Sequence, residues 1–479
     1  MYVFILRSTL HRLLTGAMYI ARVTIDTLPD IALLGIFEFY RYNKAWDAWQ
    51  WWLTLVHVCR QWRIIIFGSP CRLGLRLECK PSTPVRKTLD VWPPLPIVIR
   101  VTRNNERLDN VAAALEHNDR ISELALWGSI SSSQWEGLLE VMQKPFPALK
   151  SLCVRHVIGD PVPVIPASFL GRSAPCLKKL DLFDLPFPGL PNLLLSATHL
   201  TRLVLWGIPD SGYFSPEAFA DGLSMAAKLE TILISFESPR GRPNPQDQCL
   251  PPRTRTLLPA LTEMSLRGAD KYLEALVARI DAPLLKRIVA SFFHRQTLDT
   301  SQLTHFISRV PKLKEYRKAS VYFSCTDVSV DLDGAGHLNL EILCTSESPD
   351  KQLSSLAQVC SSSISQVLVS SVKCLYIRPY GSSRHSRIDD NVERGRWLDL
   401  FRPFSAVERF IISREYVPCV ARALEELGDE VTEVLPALRV LKLEQPLPSE
   451  PVLEMIEQFV AARELAGHPI AISYWEMNC

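Results

Sequence analysis

A short pattern returns seven times between residues 121 and 290, and it constrains the fold of this chain more than any other feature. It reads Ile121-Ser-Glu-Leu-Ala-Leu126, Leu149-Lys-Ser-Leu-Cys-Val154, Leu177-Lys-Lys-Leu-Asp-Leu182, Leu200-Thr-Arg-Leu-Val-Leu205, Leu229-Glu-Thr-Ile-Leu-Ile234, Leu261-Thr-Glu-Met-Ser-Leu266 and Leu285-Lys-Arg-Ile-Val-Ala290. Successive copies start 28, 28, 23, 29, 32 and 24 residues apart. Each is apolar-x-x-apolar-x-apolar. Its last two apolar positions have the period of a short strand that turns alternate side chains into a core.

In several copies a proline stands two residues ahead of the first apolar position: Pro147, Pro175, Pro259 and Pro283. Such a proline is expected to close the incoming helix. Helix-compatible stretches lie between strands, as at Ser133-Gln-Trp-Glu-Gly-Leu-Leu-Glu-Val-Met142 and Ser215-Pro-Glu-Ala-Phe-Ala-Asp-Gly-Leu-Ser-Met225. A strand plus a helix at this period is the arrangement of leucine-rich repeats. One unit cannot bury its own apolar face, so the copies must stack into a solenoid, giving an α/β fold with a parallel sheet.

Pro311-Lys-Leu-Lys-Glu-Tyr316 reads as a further copy. Leu338-Asn-Leu-Glu-Ile-Leu343, Val372-Lys-Cys-Leu-Tyr-Ile377 and Val407-Glu-Arg-Phe-Ile-Ile412 read as degenerate copies, and Pro436-Ala-Leu-Arg-Val-Leu-Lys-Leu443 as a clear one. A helix is expected over 452–465, and Ile470-Ala-Ile-Ser-Tyr-Trp475 reads as a closing strand. The solenoid is assigned to 111–479, with loops at 237–256 and 378–396, where Pro, Arg and mixed charges replace the apolar period. Solvent-facing strand positions Lys178, Lys179, Asp181, Thr201, Arg202 and Val204 are expected to line its recognition surface.

The chain changes character before residue 80. Leu33, Ile36, Phe37 and Tyr40 fall on one stripe of a helix begun by Pro29 and Asp30. Trp52, Val56, Cys59, Trp62 or Arg63, and Ile66 make a second stripe that ends at Gly68-Ser-Pro70. Helices this short bury too little surface to be very stable alone, so they call for a partner.

The residues Leu28-Pro29-x-x-x-Leu33-x-x-Ile36-Phe37, followed by Leu55-x-x-Val58-Cys59-x-x-Trp62-Arg63, resemble an F-box. The wider stretch, with Phe67-Gly-Ser-Pro70 and Thr88-Leu-Asp-Val-Trp-Pro-Pro-Leu-Pro96, is similar to the F-box domain-containing proteins of mushroom-forming fungi. The resemblance implies a short all-α F-box domain at 26–76, preceded by an extension at 1–25 and joined through a connector at 77–110 to the leucine-rich-repeat-like solenoid. It implies the substrate-recognition subunit of an SCF-type cullin-RING E3 ubiquitin ligase. The F-box would dock the Skp-type linker through Leu28, Pro29, Leu33, Ile36, Phe37, Val56, Cys59, Trp62 and Arg63, while the repeats hold a target protein. Some of these side chains, with Leu34 and Val58, would instead pack the domain's own core. The segment from Arg41 to Trp52 departs from an F-box in its length and its four tryptophans. It is expected to extend the second helix backwards with Trp49 and Trp52 on one stripe. The alternative to a ligase adaptor is a repeat scaffold acting outside any ligase.

Other function classes lack their residues. A net charge of +2 gives no basic excess for nucleic acid. The 12 cysteines are scattered, which fits reduced core thiols and an address in cytoplasm or nucleus. Arg7 and Arg12 break the first apolar run too early for a membrane span, so no stable membrane insertion is expected. The acid-free 1–25 stretch also fits a mitochondrial presequence as an alternative. No nucleophile, zinc or phosphate-loop motif is present, so no enzyme activity, metal or cofactor is expected. Asp331-Leu-Asp-Gly-Ala-Gly-His337 resembles a calcium loop only at its start, and it reads as a tight turn between strands.

Overall fold

The computed structural model describes residues 25–43, 51–80, 84–101, 108–127, 130–156, 162–238, 254–293, 300–324, 327–343, 353–354, 356–357, 360, 368–380, 394–445 and 449–475. Much of the 237–256 and 378–396 loops, the 1–24 stretch, and Trp46 and Trp49 lie outside the described residues.

The strands in chain order are β1 (Leu77–Cys79), β2 (Ile97–Val101), β3 (Ile121–Leu126), β4 (Ser151–Arg155), β5 (Lys179–Phe183), β6 (Arg202–Ile208), β7 (Thr231–Phe236), β8 (Thr256–Leu257), β9 (Glu263–Gly268), β10 (Ile280–Asp281), β11 (Arg287–Phe293), β12 (Tyr316–Phe323), β13 (Asp327–Gly334), β14 (His337–Leu343), β15 (Cys374–Pro379), β16 (Arg409–Ile412), β17 (Val440–Glu444) and β18 (Ala471–Trp475). Sixteen of them form one long sheet, while β8 and β10 pair separately. The chain is a mixed α/β solenoid built on a mostly parallel sheet.

All seven copies of the sequence pattern are strands of this sheet, and they align in the register the pattern demands: Glu123, Ser151, Lys179, Arg202, Thr231, Glu263 and Arg287 are successive partners across it. The reason is burial. The first apolar position of each copy after the opening one (Leu149, Leu177, Leu200, Leu229, Leu261, Leu285) is completely buried, and the fourth and sixth positions nearly so. A slip of one residue would turn every such side chain to the opposite face. A backbone ladder runs alongside, with the N–H of Lys150, Lys178, Thr201, Glu230, Thr262 and Lys286 donating to the carbonyl of the equivalent residue one repeat earlier at 2.8–2.9 Å.

The prolines act differently from the expectation. Leu149, Leu177, Leu261 and Leu285 donate their N–H to Phe146, Ala174, Leu258 and Ala282 O at 3.2, 3.1, 3.3 and 3.2 Å. Pro147, Pro175, Pro259 and Pro283 are therefore the second residues of four-residue turns, where their fixed φ fits. Helix Ser132–Val141 has already ended by then, so the proline sets the entry to the strand instead of closing the helix. Leu200 and Leu229 make the same turn without proline, on Ala197 and Ala226 O.

The sheet departs from a plain stack of repeats in two places. It begins at β1, inside the 77–110 stretch read as a connector, because Leu77, Glu78 and Cys79 pair with Ile97, Val98 and Ile99. The order of strands is also reversed once: β11 is followed in space by β14, β13 and β12, then β15. β13 pairs antiparallel with both neighbours and is the single reversed strand among those described, which corrects the expectation of an all-parallel sheet. Leu338 accordingly aligns with Ile288, the fourth position of its copy and not the first. The Asp331–His337 stretch is the β13–β14 hairpin, as expected. A Cβ at Gly334 would collide with the Glu315 carbonyl, so the turn requires glycine there.

Helices cover the apolar side, and one core runs the length of the array. Glu274 from helix Asp270–Val277 accepts from the Gln302 and Leu303 N–H groups at 2.5 and 3.0 Å, capping the next helix, Ser301–Arg309. At the far end β18 pairs with β17, and Arg463 of helix Glu450–Leu465 is completely buried. Its guanidinium donates to the carbonyls of Val431, Leu435, Pro436 and Leu438 at 2.9–3.5 Å.

Candidate interaction site

The helical unit consists of α1 (Asp30–Asn43), α2 (Trp51–Val56), α3 (Arg60–Gly68) and α4 (Pro70–Leu73). The second apolar stripe is thus two helices, not one. Cys59 interrupts it in extended backbone (φ −155, ψ 172) and caps α3, its Sγ accepting from Trp62 N–H at 3.4 Å. Arg63 Nε donates back to the Val56 carbonyl at 3.0 Å and ties the two pieces together. Arg41 donates to the Leu73 carbonyl at 3.1 Å. Arg72 meets Glu38 at 2.6 Å, and that guanidinium holds the Glu38 carboxyl below the usual carboxylate range.

The unit has its own core, in which Leu33, Leu34, Phe37, Trp52, Val56, Trp62 and Ile66 meet Leu73, Leu75, Leu77 and Leu95. Phe37 packs edge-on to Trp62 with centroids 4.9 Å apart, and Trp52 does so to Trp92 at 5.3 Å. The unit is anchored on the solenoid, since Trp52 Nε1 donates to the Arg76 carbonyl at 3.2 Å and Arg76 pairs with Glu123 of β3.

The nine residues expected to face a linker divide accordingly. Leu33, Phe37 and Val56 are fully buried and Trp62 nearly so. Leu28 and Cys59 are half-buried, while Pro29, Ile36 and Arg63 are exposed. Leu34 packs inside and Val58 stands in solvent. Sequence reasoning missed Ile31 and Phe39, which are 63% and 60% exposed. With Gly35 they form an uncharged face of α1 turned away from Leu33 and Phe37; Ala32 and Ile36 border it on the side toward Leu33, and Leu28 stands just ahead of the helix. The signal was present in the spacing 28, 31, 35, 39. A helix apolar on nearly every side does not announce which of its faces is inward.

A second surface is the sheet face turned away from the helices. Arg202 meets Asp181 across β5 and β6 at 3.2 Å. Burial pushes the Asp181 carboxyl up, opposed by that arginine. Lys178, Lys179 and Arg202 are exposed as expected and Thr201 is half-buried, but Val204 is 3% exposed, hemmed by its register partners Asp181 and Leu233. Trp127 Nε1 donates to Cys153 Sγ at 3.1 Å, and burial pushes that thiol up to about 11.

Where β4 to β9 end, a cleft of about 290 Å³ opens among His156, Asp184, Trp206, Glu237 and Arg267, with Ser235 and Phe236 at its base. Burial raises the Asp184 carboxyl above its ordinary value, with Arg155 and His156 acting in the opposite sense. These residues come from separate repeats, and no linear motif marks them. Among the described residues no group of three or more His, Cys, Asp or Glu is placed to hold a metal ion, and no helix is long and apolar enough to cross a membrane.

No family model and no curated protein matches this chain. Among solved structures, the crystal structure of the leucine-rich repeat-containing protein LegL7 from Legionella pneumophila is similar over 83% of this chain and 99% of its own, at 12% identity and a TM-score of 0.27.

Proposed function

We propose that the chain is a substrate-recognition adaptor, in which α1 docks the Skp-type linker of a cullin-RING ubiquitin ligase and the open sheet face holds the protein to be modified. The observation that carries this reading is the face of α1. Its inner side already completes a core, yet its outer side presents Ile31, Ile36 and Phe39 to solvent. An uncharged helix face of this kind fits a hydrophobic groove, and burying what each of those side chains still exposes contributes about 0.5–2 kcal/mol. The resemblance of the 28–63 stretch to an F-box supports the same assignment. Leu28, Pro29 and Ile36 remain as contact residues, with Ile31 and Phe39 added. Leu33, Phe37, Val56 and Trp62 act from inside by fixing the helix.

The test is capture of purified linker subunit by the full chain, beside an Ile36→Asp/Phe39→Asp variant. Capture by the parent and loss in the folded variant supports the adaptor. Failure of the parent leaves a second reading, a repeat scaffold outside any ligase, which rests on the sheet face alone.

A further inference from the structure

The cleft at the ends of β4 to β9 holds two buried donors that the fold leaves unpaired. His156 is 2% exposed, and its Nδ1 is buried without a hydrogen-bond partner. The Nε of Arg267 is likewise buried without one. No hydrogen bond or ion pair is made by the side chains of His156, Asp184, Glu237 or Arg267 among the described residues. Elsewhere on the same array charges of opposite sign are paired, as Arg202 with Asp181 at 3.2 Å and Arg309 with Asp281 at 2.9 Å. Buried polar atoms are rarely left unmatched, and each one that is asks for an explanation.

We propose that this cleft binds a small zwitterion of the α-amino-acid type, with its ammonium group on Asp184 and Glu237 and its carboxylate on Arg267 and His156. Both signs line the cleft: the buried His156 and the largely buried Arg267 offer donors to a carboxylate, while Asp184, which also faces Arg155 and His156, and the exposed Glu237 at the rim offer acceptors to an ammonium group. Arg267 is suited to a carboxylate because its fork presents parallel donors, and the ring of Phe293, 5.8 Å from its guanidinium carbon, holds it in place. Trp206, 44% exposed, offers an apolar wall to the rest of the molecule. The volume of about 290 Å³ suits a single small metabolite. The site is separate from α1 and stands whether or not that helix docks a linker.

Isothermal titration calorimetry on the full chain tests this, using L-leucine and L-phenylalanine, each beside its N-acetyl and its amide derivative. At least one amino acid is expected to saturate the protein, with both of its blocked forms binding about tenfold or more weakly. Arg267→Gln should abolish the preference for the amino acid over its amide, and Asp184→Asn/Glu237→Gln the preference over the N-acetyl form. Far-ultraviolet circular dichroism confirms that each variant is folded. The proposal is overturned if neither amino acid saturates by about 10 mM, if blocked forms bind as well as free ones, or if folded variants keep both preferences.

Discussion

Asp184 lies over the bare Cα of Gly207, so close that a Cβ built there would collide with Asp184 Oδ1. Gly207 has φ +65, a backbone conformation that costs glycine nothing, and Asp184 itself stands at φ 58. Two left-handed residues on adjacent strand ends thus present one carboxylate to the cleft. Gly207→Ala should destabilise the chain by about 1–3 kcal/mol and displace that carboxylate. Urea denaturation reads the first effect, and an unchanged midpoint would show that the contact is slack.

Asp184→Asn keeps the shape and the tolerance for positive φ while removing the charge. The folded carboxyl titrates above its unfolded value because of burial, so its ionisation opposes folding. Stability owed to this group is complete below the unfolded value and is lost as pH rises through the folded one. The variant should therefore melt above the parent at neutral pH, and the gap should close as pH falls to about 4. Arg155, His156, Glu237 and Arg267 surround the group and are left intact. A gap that is constant with pH would assign the effect to something other than ionisation.

The two sides of α1 should respond oppositely to mutation. Ile36→Asp/Phe39→Asp changes exposed positions, so stability should stay within about 0.5 kcal/mol while linker capture falls by on the order of 100-fold. Phe37→Ala empties a fully buried site beside Trp62 and should cost about 3–5 kcal/mol. Thermal unfolding and capture, measured on both variants, separate the two effects.

Glu274 joins two successive helices by accepting from Gln302 and Leu303 N–H. Because Glu274 is 7% exposed and the Leu303 N–H is buried, its removal leaves that donor without its acceptor and uncaps the more exposed Gln302. Glu274→Ala should cost about 2–3 kcal/mol and Glu274→Gln roughly half of that, since an amide oxygen still accepts. Hydrogen exchange at Gln302 and Leu303 should rise first in both. Equal protection in variant and parent would sink the cap.

Much of the solenoid was legible because its signal is repeated burial. Leu149, Leu177 and Leu200 recur at the spacing that stacking imposes, and a pattern enforced seven times survives local exceptions. β2 escaped because Ile97-Val98-Ile99 is apolar without alternation, being buried on both faces. The reversal of β13 escaped because Leu338, Leu340 and Ile342 alternate identically in either strand direction. In the helical unit the residue types pointed to helices, but Leu33 and Ile36 look equivalent in sequence, being neighbours one turn apart on α1, and only the first is buried. The cleft gave no signal, for its charges are neighbours only after five strands have been laid side by side.

The reversed block of β12 to β14 also bears on how the molecule is made. A stack of identical repeats can grow one unit at a time, each docking on the last. Here the strand that completes the edge of β11 is β14, which leaves the ribosome after β12 and β13, so growth of the sheet must halt at Phe293 until Leu343 has been synthesised. The earlier strands wait with an open edge. β12, β13 and β14 thus enter the sheet as one three-stranded antiparallel block and not as successive repeats, and until that block docks the edge of β11 is unpaired.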